Sequence, residues 1–404
     1  MMNPTLKKVL VSGNKHGGSL LFNLFNLLSF NRLKNDSSDL EKINRILIIS
    51  LHRIGDVLFT TPAIRALKER FPKAELTVWV KSRGRAVLEN NPHVDEILVF
   101  DNVSVARGFE EIKYFDIKSK LKFVSALRRR KFDLVVDLVG TWGTNLYSFL
   151  SGASLRFGFD MHGFGFLLTK STPIVPGIHL KQNYLEVIRT MGITPTREDL
   201  QMELSPSEEE FAEKFVTDHN LSSDDFLVGI HPGAGWDTKR WPPASFGKLA
   251  NLLVEETGAT IVLFGSKKEE KLVKEIARQM NSKPIIMSGK LSLREMAAVI
   301  SQCRLFLGHD TGPIYIAEAL KVPVGVFFGP TNPVYSAPLG TRCVIMRKVV
   351  ECSPLDLHQY CFDEPGVPCR LGTHECMSSI SVEDALEALK PILVKKGVSQ
   401  LGRN

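Results

Sequence analysis

No apolar run in the 404 residues approaches the ~20 that a membrane-spanning helix needs. Cysteine is scarce, with six in the whole chain, which excludes a disulfide scaffold and suits a reducing compartment. There is no zinc-finger spacing, no RNA-binding signature and no basic heptad region, so nucleic acid is disfavoured as a partner. The stretch His52–Asp56 after the first strand lacks the three-glycine dinucleotide fingerprint and the Lys-Ser/Thr of a P-loop. What remains is an ordinary globular composition, 44% hydrophobic and 24% charged, with ample core. Lys and Arg exceed Asp and Glu, giving a formal charge of +7 and pI ≈ 9.0. That excess favours an acidic partner such as a phosphorylated substrate or an anionic lipid. The length predicts two or three domains.

Residues 1–44 differ from the rest. Lys7, Lys8 and Lys15 precede an apolar stretch from Leu20 to Phe30, interrupted by Asn23 and Asn26. On a helix, Leu20, Leu24, Leu27 and Leu28 share one face. That pattern fits a short helix lying in a membrane surface, or one packed on the body of the protein.

The folded body begins at Arg45 with Ile46-Leu47-Ile48-Ile49, a continuous apolar run typical of a buried parallel strand. Strands and helices then alternate, which predicts a parallel sheet covered on both faces. The stretch from Gly140 to Pro176 shows no clear pattern and is expected to form glycine-rich loops. Pro195 to Pro206 reads as a linker, after which the alternation restarts and is expected to close with a strand at Val322–Phe328. A last helix is predicted over Val382–Val394. The expected division is an extension over 1–44, one Rossmann-like domain over 45–200, a second over 201–394, and a tail over 395–404. Two such halves place a substrate cleft between them.

Several strand-to-helix loops carry chemistry-bearing residues. Arg53-Ile54-Gly55-Asp56 follows the first strand, and Asp56 there could cap a helix or act as a general base. His231 through Pro242 holds Gly233, Ala234 and Gly235, whose backbone N–H groups could reach phosphate oxygens. It also holds Lys239 and Arg240, whose charge a diphosphate leaving group needs; Trp236 and Trp241 could instead simply cover the core. Gly265 opens a turn where Glu269 could bond ribose or favour a helix dipole. Asp310-Thr311-Gly312-Pro313 joins a strand to a helix start, suited to a pyrophosphate or to plain capping. Cys352, Cys361, Cys369 and Cys376, with His358 and His374, are spaced more widely than the usual zinc pairs and read as loose buried thiols, with a structural zinc as the lesser alternative.

Taken in this order, these motifs resemble glycosyltransferase family 9, the ADP-heptose:lipopolysaccharide heptosyltransferases. The resemblance runs from about Arg45 to the final helix. It rests on Arg53-Ile54-Gly55-Asp56 with Pro62, His231-Pro232-Gly233 through Trp241-Pro242, Phe264-Gly265-Ser266 with Glu269, Asp310 through Pro313, and Gly329-Pro330-Thr331. It implies the GT-B fold, an α/β architecture of two Rossmann-like doubly wound domains facing a central cleft. It also implies an inverting, metal-independent transfer without a cofactor. Asp56 falls at the family's general base and Lys239 at its phosphate-contacting lysine. Gly233, Ala234, Gly235, Arg240, Gly265, Glu269, Asp310, Thr311, Gly312 and Pro313 fall around the nucleotide sugar, with Arg53 and Gly55 on the acceptor side. The implied partners are ADP-heptose or a related nucleotide sugar, an acidic lipopolysaccharide-type acceptor, and the cytoplasmic face of the inner membrane as a peripheral site. A different donor sugar or envelope glycan on the same fold is the alternative, and a non-catalytic nucleotide- or glycan-binding scaffold a third. Two positions depart from the family pattern and are expected to border the donor: His309 stands where Asn is usual, and Tyr315 where His is frequent.

Overall fold

A computed structural model describes residues 42–101, 117–161, 163–222, 224–340, 342–353, 369 and 371–393. The leucine-rich stretch before residue 31, His358, Cys361 and the tail from 395 lie outside the described residues. The chain divides after Ile43, and the larger unit, Asn44–Asn404, holds both sheets.

The first sheet contains β1 (Arg45–Ile49), β2 (Glu75–Val80), β3 (Glu96–Val99), β4 (Leu134–Asp137), β5 (Leu155–Phe159) and β6 (Lys170–Thr172). Their spatial order is β3-β2-β1-β4-β5-β6, all parallel. β1 is buried at four of its five positions, as expected of a central strand with helices on both faces. The order reverses between β1 and β4, and at such a reversal the strand ends open a crevice for ligands. Helices α1 (Ile54–Arg70), α2 (Ser82–Leu88), α3 (Ile117–Arg129), α4 (Trp142–Leu150) and α5 (Leu180–Thr190) surround this sheet. α1, which leaves β1 at the crevice, is buried continuously from Val57 to Leu67.

The second sheet contains β7 (Leu227–His231), β8 (Thr260–Leu263), β9 (Ile285–Ile286), β10 (Leu305–His309), β11 (Val324–Phe328) and β12 (Cys343–Arg347). Their order, β12-β11-β10-β7-β8-β9, repeats the first topology, with its reversal between β7 and β10. The accompanying helices are α6 (Pro206–Asp218), α7 (Pro243–Thr257), α8 (Glu270–Gln279), α9 (Leu293–Ser301), α10 (Gly312–Ala319), α11 (Pro333–Ser336), α12 (Glu375–Ser378) and α13 (Val382–Leu389). The doubly wound GT-B architecture expected from the sequence is therefore the one observed.

Three expectations are corrected. The Gly140–Pro176 stretch is not loop alone: it holds α4, β5 and β6. Its glycines hid the period, although Thr141 and Thr144 form a reciprocal capping box at the start of α4. Val324–Phe328 does not close the second sheet, because β12, a short apolar run that is only partly covered, adds an edge strand. The last helix stops at Leu389, where Pro391 tightens the chain into a 3₁₀ turn over Lys390–Ile392.

The connection between the halves is tied to both. Arg65 of α1, 4% exposed, donates to the Asp199 carboxylate at 3.0 Å and to the Gln201 side chain at 3.2 Å. Arg294 of α9 grips Glu208 at 2.7 Å and also donates to the Ala86 carbonyl of α2 at 3.1 Å. Both guanidiniums are buried and depend on these partners, so loss of the acceptors would leave a buried cation unpaired.

Candidate active site

Two helix starts, one from each half, meet at the crevice. A Cβ built on Gly55 in α1 would lie 2.4 Å from the Tyr315 ring of α10. One built on Gly312, the first residue of α10, would lie 3.0 Å from the Ile54 side chain. Neither backbone could come so close with a larger residue. Tyr315 is locked in place, 4% exposed, with its ring edge-on to Phe59 at 4.7 Å. Gly55 thus sets the approach of the two halves, and residue order alone carries no sign of its partner.

Asp56 lies in the first turn of α1, where Arg53 holds the cap position, so plain capping is not its role. Burial pushes its carboxyl above the ordinary value, and the negative charge of Asp310 adds to that, while His52, Arg53 and Lys239 oppose it. Asp310 and Lys239 belong to the second half, so the electrostatic environment of Asp56 spans the cleft. His52 sits beside it. Its Nε2 lies 3.1 Å from the Leu138 carbonyl and its ring 5.4 Å from that of Tyr184, and burial lowers its basicity.

Lys239, 8% exposed, donates to the Asp310 carboxylate at 2.8 Å and to its carbonyl at 3.3 Å. An ammonium has three donors, so this pairing orients Lys239 without exhausting it. Burial works against the Asp310 carboxylate, but Lys239 and the Tyr315 hydroxyl hold it below the usual range. Ser336, at the end of α11, donates at 3.1 Å to Oδ1 of Asp310, the oxygen that Tyr315 also bonds, while Lys239 takes Oδ2. Thr311 holds the cap position of α10 but makes no side-chain capping bond. Capping therefore does not account for Asp310 or Thr311.

The two tryptophans of the β7–α7 loop divide their roles. Trp241 covers the core, 1% exposed, with its indole N–H on the Ile380 carbonyl at 3.0 Å. Trp236 does not: Arg53 of the first half lies 5.1 Å and Lys239 4.6 Å from its ring centre, both at cation–π distance. Arg240 turns to Asp237 at 2.7 Å. Gly235 has nothing within 4 Å of a built Cβ and faces open space, whereas Gly233 lies against the Glu269 carboxyl.

Glu269 sits at a helix start and caps it: the Ser266 N–H and hydroxyl both donate to its Oε2 at 2.7 Å. Its other oxygen rests on Gly233. Burial alone would raise this carboxyl, yet His231 and the Ser266 donors bring it below the ordinary value. Gly265 packs against Val273, Glu269 and Ser288.

The expectation that His309 borders the donor is corrected. It is fully buried beneath the loop, accepting from the Trp241 N–H at 2.8 Å, with Nδ1 3.1 Å from the Gly233 carbonyl. Burial pushes its pKa down to about 3. A neutral imidazole with one donor and one acceptor nitrogen satisfies both groups, and so could an Asn amide. The departure is therefore a change of staple under the β7–α7 loop. Residues overlooked in the sequence include His179, Ser288 and Ser336. His179 packs edge-on to Phe59 at 4.8 Å. Ser288 is 5% exposed with a hydroxyl that has no protein partner. The Thr238 hydroxyl and the Arg240 Nε are likewise without one. Three orphaned polar atoms on loops that leave β7 and β9 suit a polar ligand at the strand ends.

A cavity of ≈ 510 Å³ opens beside this region, lined by Arg240, Glu269, Lys271 and His374 among others, but it does not include Asp56 or Lys239. Among the described residues no group of three or more His, Cys, Asp and Glu comes together to hold a metal ion. The arrangement can hold an anion at two helix starts and accept a proton from a hydroxyl between them.

Comparison with known proteins gives a consistent picture. Residues 120–363, more than half of the chain, match the sequence pattern of glycosyltransferase family 9 (heptosyltransferase). Lipopolysaccharide heptosyltransferase 3 of Escherichia coli (strain K12) is 31% identical over 70% of this chain and 82% of its own length. Lipopolysaccharide heptosyltransferase 2 of the same strain is 24% identical over 87% and 99%. Among solved structures, the ADP-heptose lps heptosyltransferase II of E. coli superposes with a TM-score of 0.67 at 23% identity, covering 86% of this chain and 98% of that one.

Proposed function

The chain belongs to glycosyltransferase family 9, and from that premise we propose that it transfers heptose from ADP-heptose to the lipopolysaccharide inner core with inversion. Its E. coli relatives are lipopolysaccharide heptosyltransferases, and one structural neighbour is an ADP-heptose lps heptosyltransferase. The observation that carries the mechanism is that Asp56 of the first half shares one electrostatic site with Lys239 and Asp310 of the second.

In this reading the acceptor hydroxyl lies against Asp56 and attacks the anomeric carbon from the side opposite ADP. The new C–O bond forms as the bond to the diphosphate breaks, and the hydroxyl proton passes to the Asp56 carboxylate. A burial-raised carboxyl is a better proton acceptor than a solvated one, because its basicity is closer to the working pH. The charge that grows on departing ADP meets Lys239 and the positive end of α10. Asp310 keeps Lys239 aimed, while Lys239, Tyr315 and Ser336 offset its own charge. Gly235 lets the loop backbone approach the phosphates, and Glu269 stands where a ribose hydroxyl can reach its Oε1. Arg53 and Gly55 flank the acceptor side. The protein works at the cytoplasmic face of the inner membrane as a peripheral enzyme, held there in part by residues 1–44.

Turnover of labelled ADP-heptose by Asp56→Asn tests this. The amide cannot take the proton, so the rate should drop about 10²–10⁴-fold with ADP affinity little changed. In the unaltered enzyme, activity should fall as pH drops through the raised Asp56 pKa, and that acid limb should disappear in the variant. Near-normal turnover by Asp56→Asn would remove Asp56 from the mechanism.

A further inference from the structure

Helix α3 departs from the usual design of a helix on a sheet. Such a helix needs one apolar stripe, and α3 has it: Phe123 and Leu127 are buried with Trp79 and Tyr147. It also carries a second. Ile117 and Leu121, one turn apart, are 54% and 64% exposed. Lys118 and Lys122 stand beside them, and no acidic residue occurs from Ile117 to Phe132.

The turn after β5 repeats this exposure. Phe164 and Phe166 are 42% and 54% exposed, and their rings stack at 5.5 Å. Phe164 has φ +67°, in the left-handed region. That conformation is costly for a bulky side chain, and Gly or Asn would hold it with less strain. Strain kept to display an aromatic ring in water has no folding rationale. α4 packs on α3 and on the Gly165–Leu167 turn, and Trp142 at its start lies 6.4 Å from Phe164. The two exposed features therefore flank the same helix.

We propose that α3 and the Phe164–Phe166 turn form a surface that docks on an anionic phospholipid bilayer. The aromatic and aliphatic side chains would enter the headgroup layer, and Lys118 and Lys122 would meet lipid phosphates. An acid-free basic stripe beside exposed apolar groups complements a surface of uniform negative charge. The inference rests on the reading of a peripheral enzyme with a lipid-linked acceptor, and it adds a contact within the folded body to residues 1–44.

Co-sedimentation of the full chain with phosphatidylglycerol-containing and pure phosphatidylcholine vesicles tests it, without donor or acceptor. The unaltered chain should bind the anionic vesicles, less so in high salt. Each lysine near such a surface contributes about fivefold, so Lys118→Glu with Lys122→Glu should weaken binding by at least about 25-fold. Phe164→Asn with Phe166→Ser should weaken it by about tenfold or more, while its melting temperature stays equal or rises because the strain is relieved. Binding by the unaltered chain that neither variant reduces would overturn the docking surface and leave the peripheral reading standing. No binding by the unaltered chain would overturn both.

Discussion

Gly55→Ala probes the meeting of the two helix starts directly. The added methyl would lie 2.4 Å and 2.9 Å from two carbons of the Tyr315 ring. Carbon–carbon contact is comfortable at about 3.5–4.0 Å, so something must move by roughly 1 Å. The Tyr315 ring cannot yield freely, because it is buried, edge-on to Phe59, and bonded to Asp310 through its hydroxyl. Overpacking of this kind costs about 1–3 kcal/mol, and the locked ring argues for the upper end. Alanine returns up to about 1 kcal/mol of helix propensity, leaving a net loss of about 2 kcal/mol, or several degrees in melting temperature. Displacing Tyr315 also loosens Asp310 and through it Lys239, and a 1 Å misplacement can cost about 10²-fold in rate. Gly235→Ala is the contrast. Nothing lies within 4 Å of its methyl, so the melt should not shift, whereas ADP affinity should weaken because the methyl points where phosphate would approach. In a Tyr315→Leu background the Gly55→Ala penalty should shrink or change sign. Thermal melting and single-turnover rates on these four variants and their parent decide the matter. A Gly55→Ala protein that melts and turns over like its parent would mean that the two helix starts are not in contact in the working enzyme.

Lys239→Ala should weaken ADP binding and slow the chemical step, since a charge-assisted contact is lost and Asp310 is left buried without its cation. Unchanged affinity by calorimetry with an unchanged rate would show that Lys239 serves only the fold. His309→Leu should destabilise by about 2–6 kcal/mol, because the Trp241 N–H and Gly233 carbonyl each lose a buried partner at about 1–3 kcal/mol, whereas His309→Asn should restore most of the loss; equal melting of the two variants would refute the staple. With its pKa lowered from 6.5 to about 3, His309 binds a proton more readily in the unfolded chain. Its stabilising contribution is full above pH 6.5 and is lost as pH falls toward 3, a slope of up to about 1.4 kcal/mol per pH unit that His309→Asn should reduce in denaturant titrations. Turnover should continue in EDTA, because Lys239 and the positive end of α10 supply the positive charge; activity lost in chelator and restored by Mg²⁺ would contradict that assignment.

Apolar runs such as Ile46–Ile49 and Leu305–Leu307 are local, and so is the alternation of strand and helix that they punctuate. The doubly wound halves, and the position of each polar loop at a strand end, were therefore legible from residue order alone. Gly-rich Gly140–Pro176 was not, because its patterning is weak, nor was the edge strand Cys343–Arg347, a short apolar run that only its pairing with β11 identifies as part of the sheet. The same divide runs through the site. Residue type marked Asp56, Lys239 and Asp310 as candidates, but whether a carboxylate caps a helix depends on backbone conformation, which no spacing reveals. Glu269 does cap, whereas Asp56 and Asp310 do not. Lys239 meets Asp310 across 71 positions of sequence, Gly55 meets Tyr315, and Arg53 reaches the face of Trp236. The first contact forms where β7 and β10 pair within the second sheet; the other two arise only when the two separately patterned sheets dock, since long-range packing depends on shape and burial summed over both halves, and no periodicity within either one encodes it.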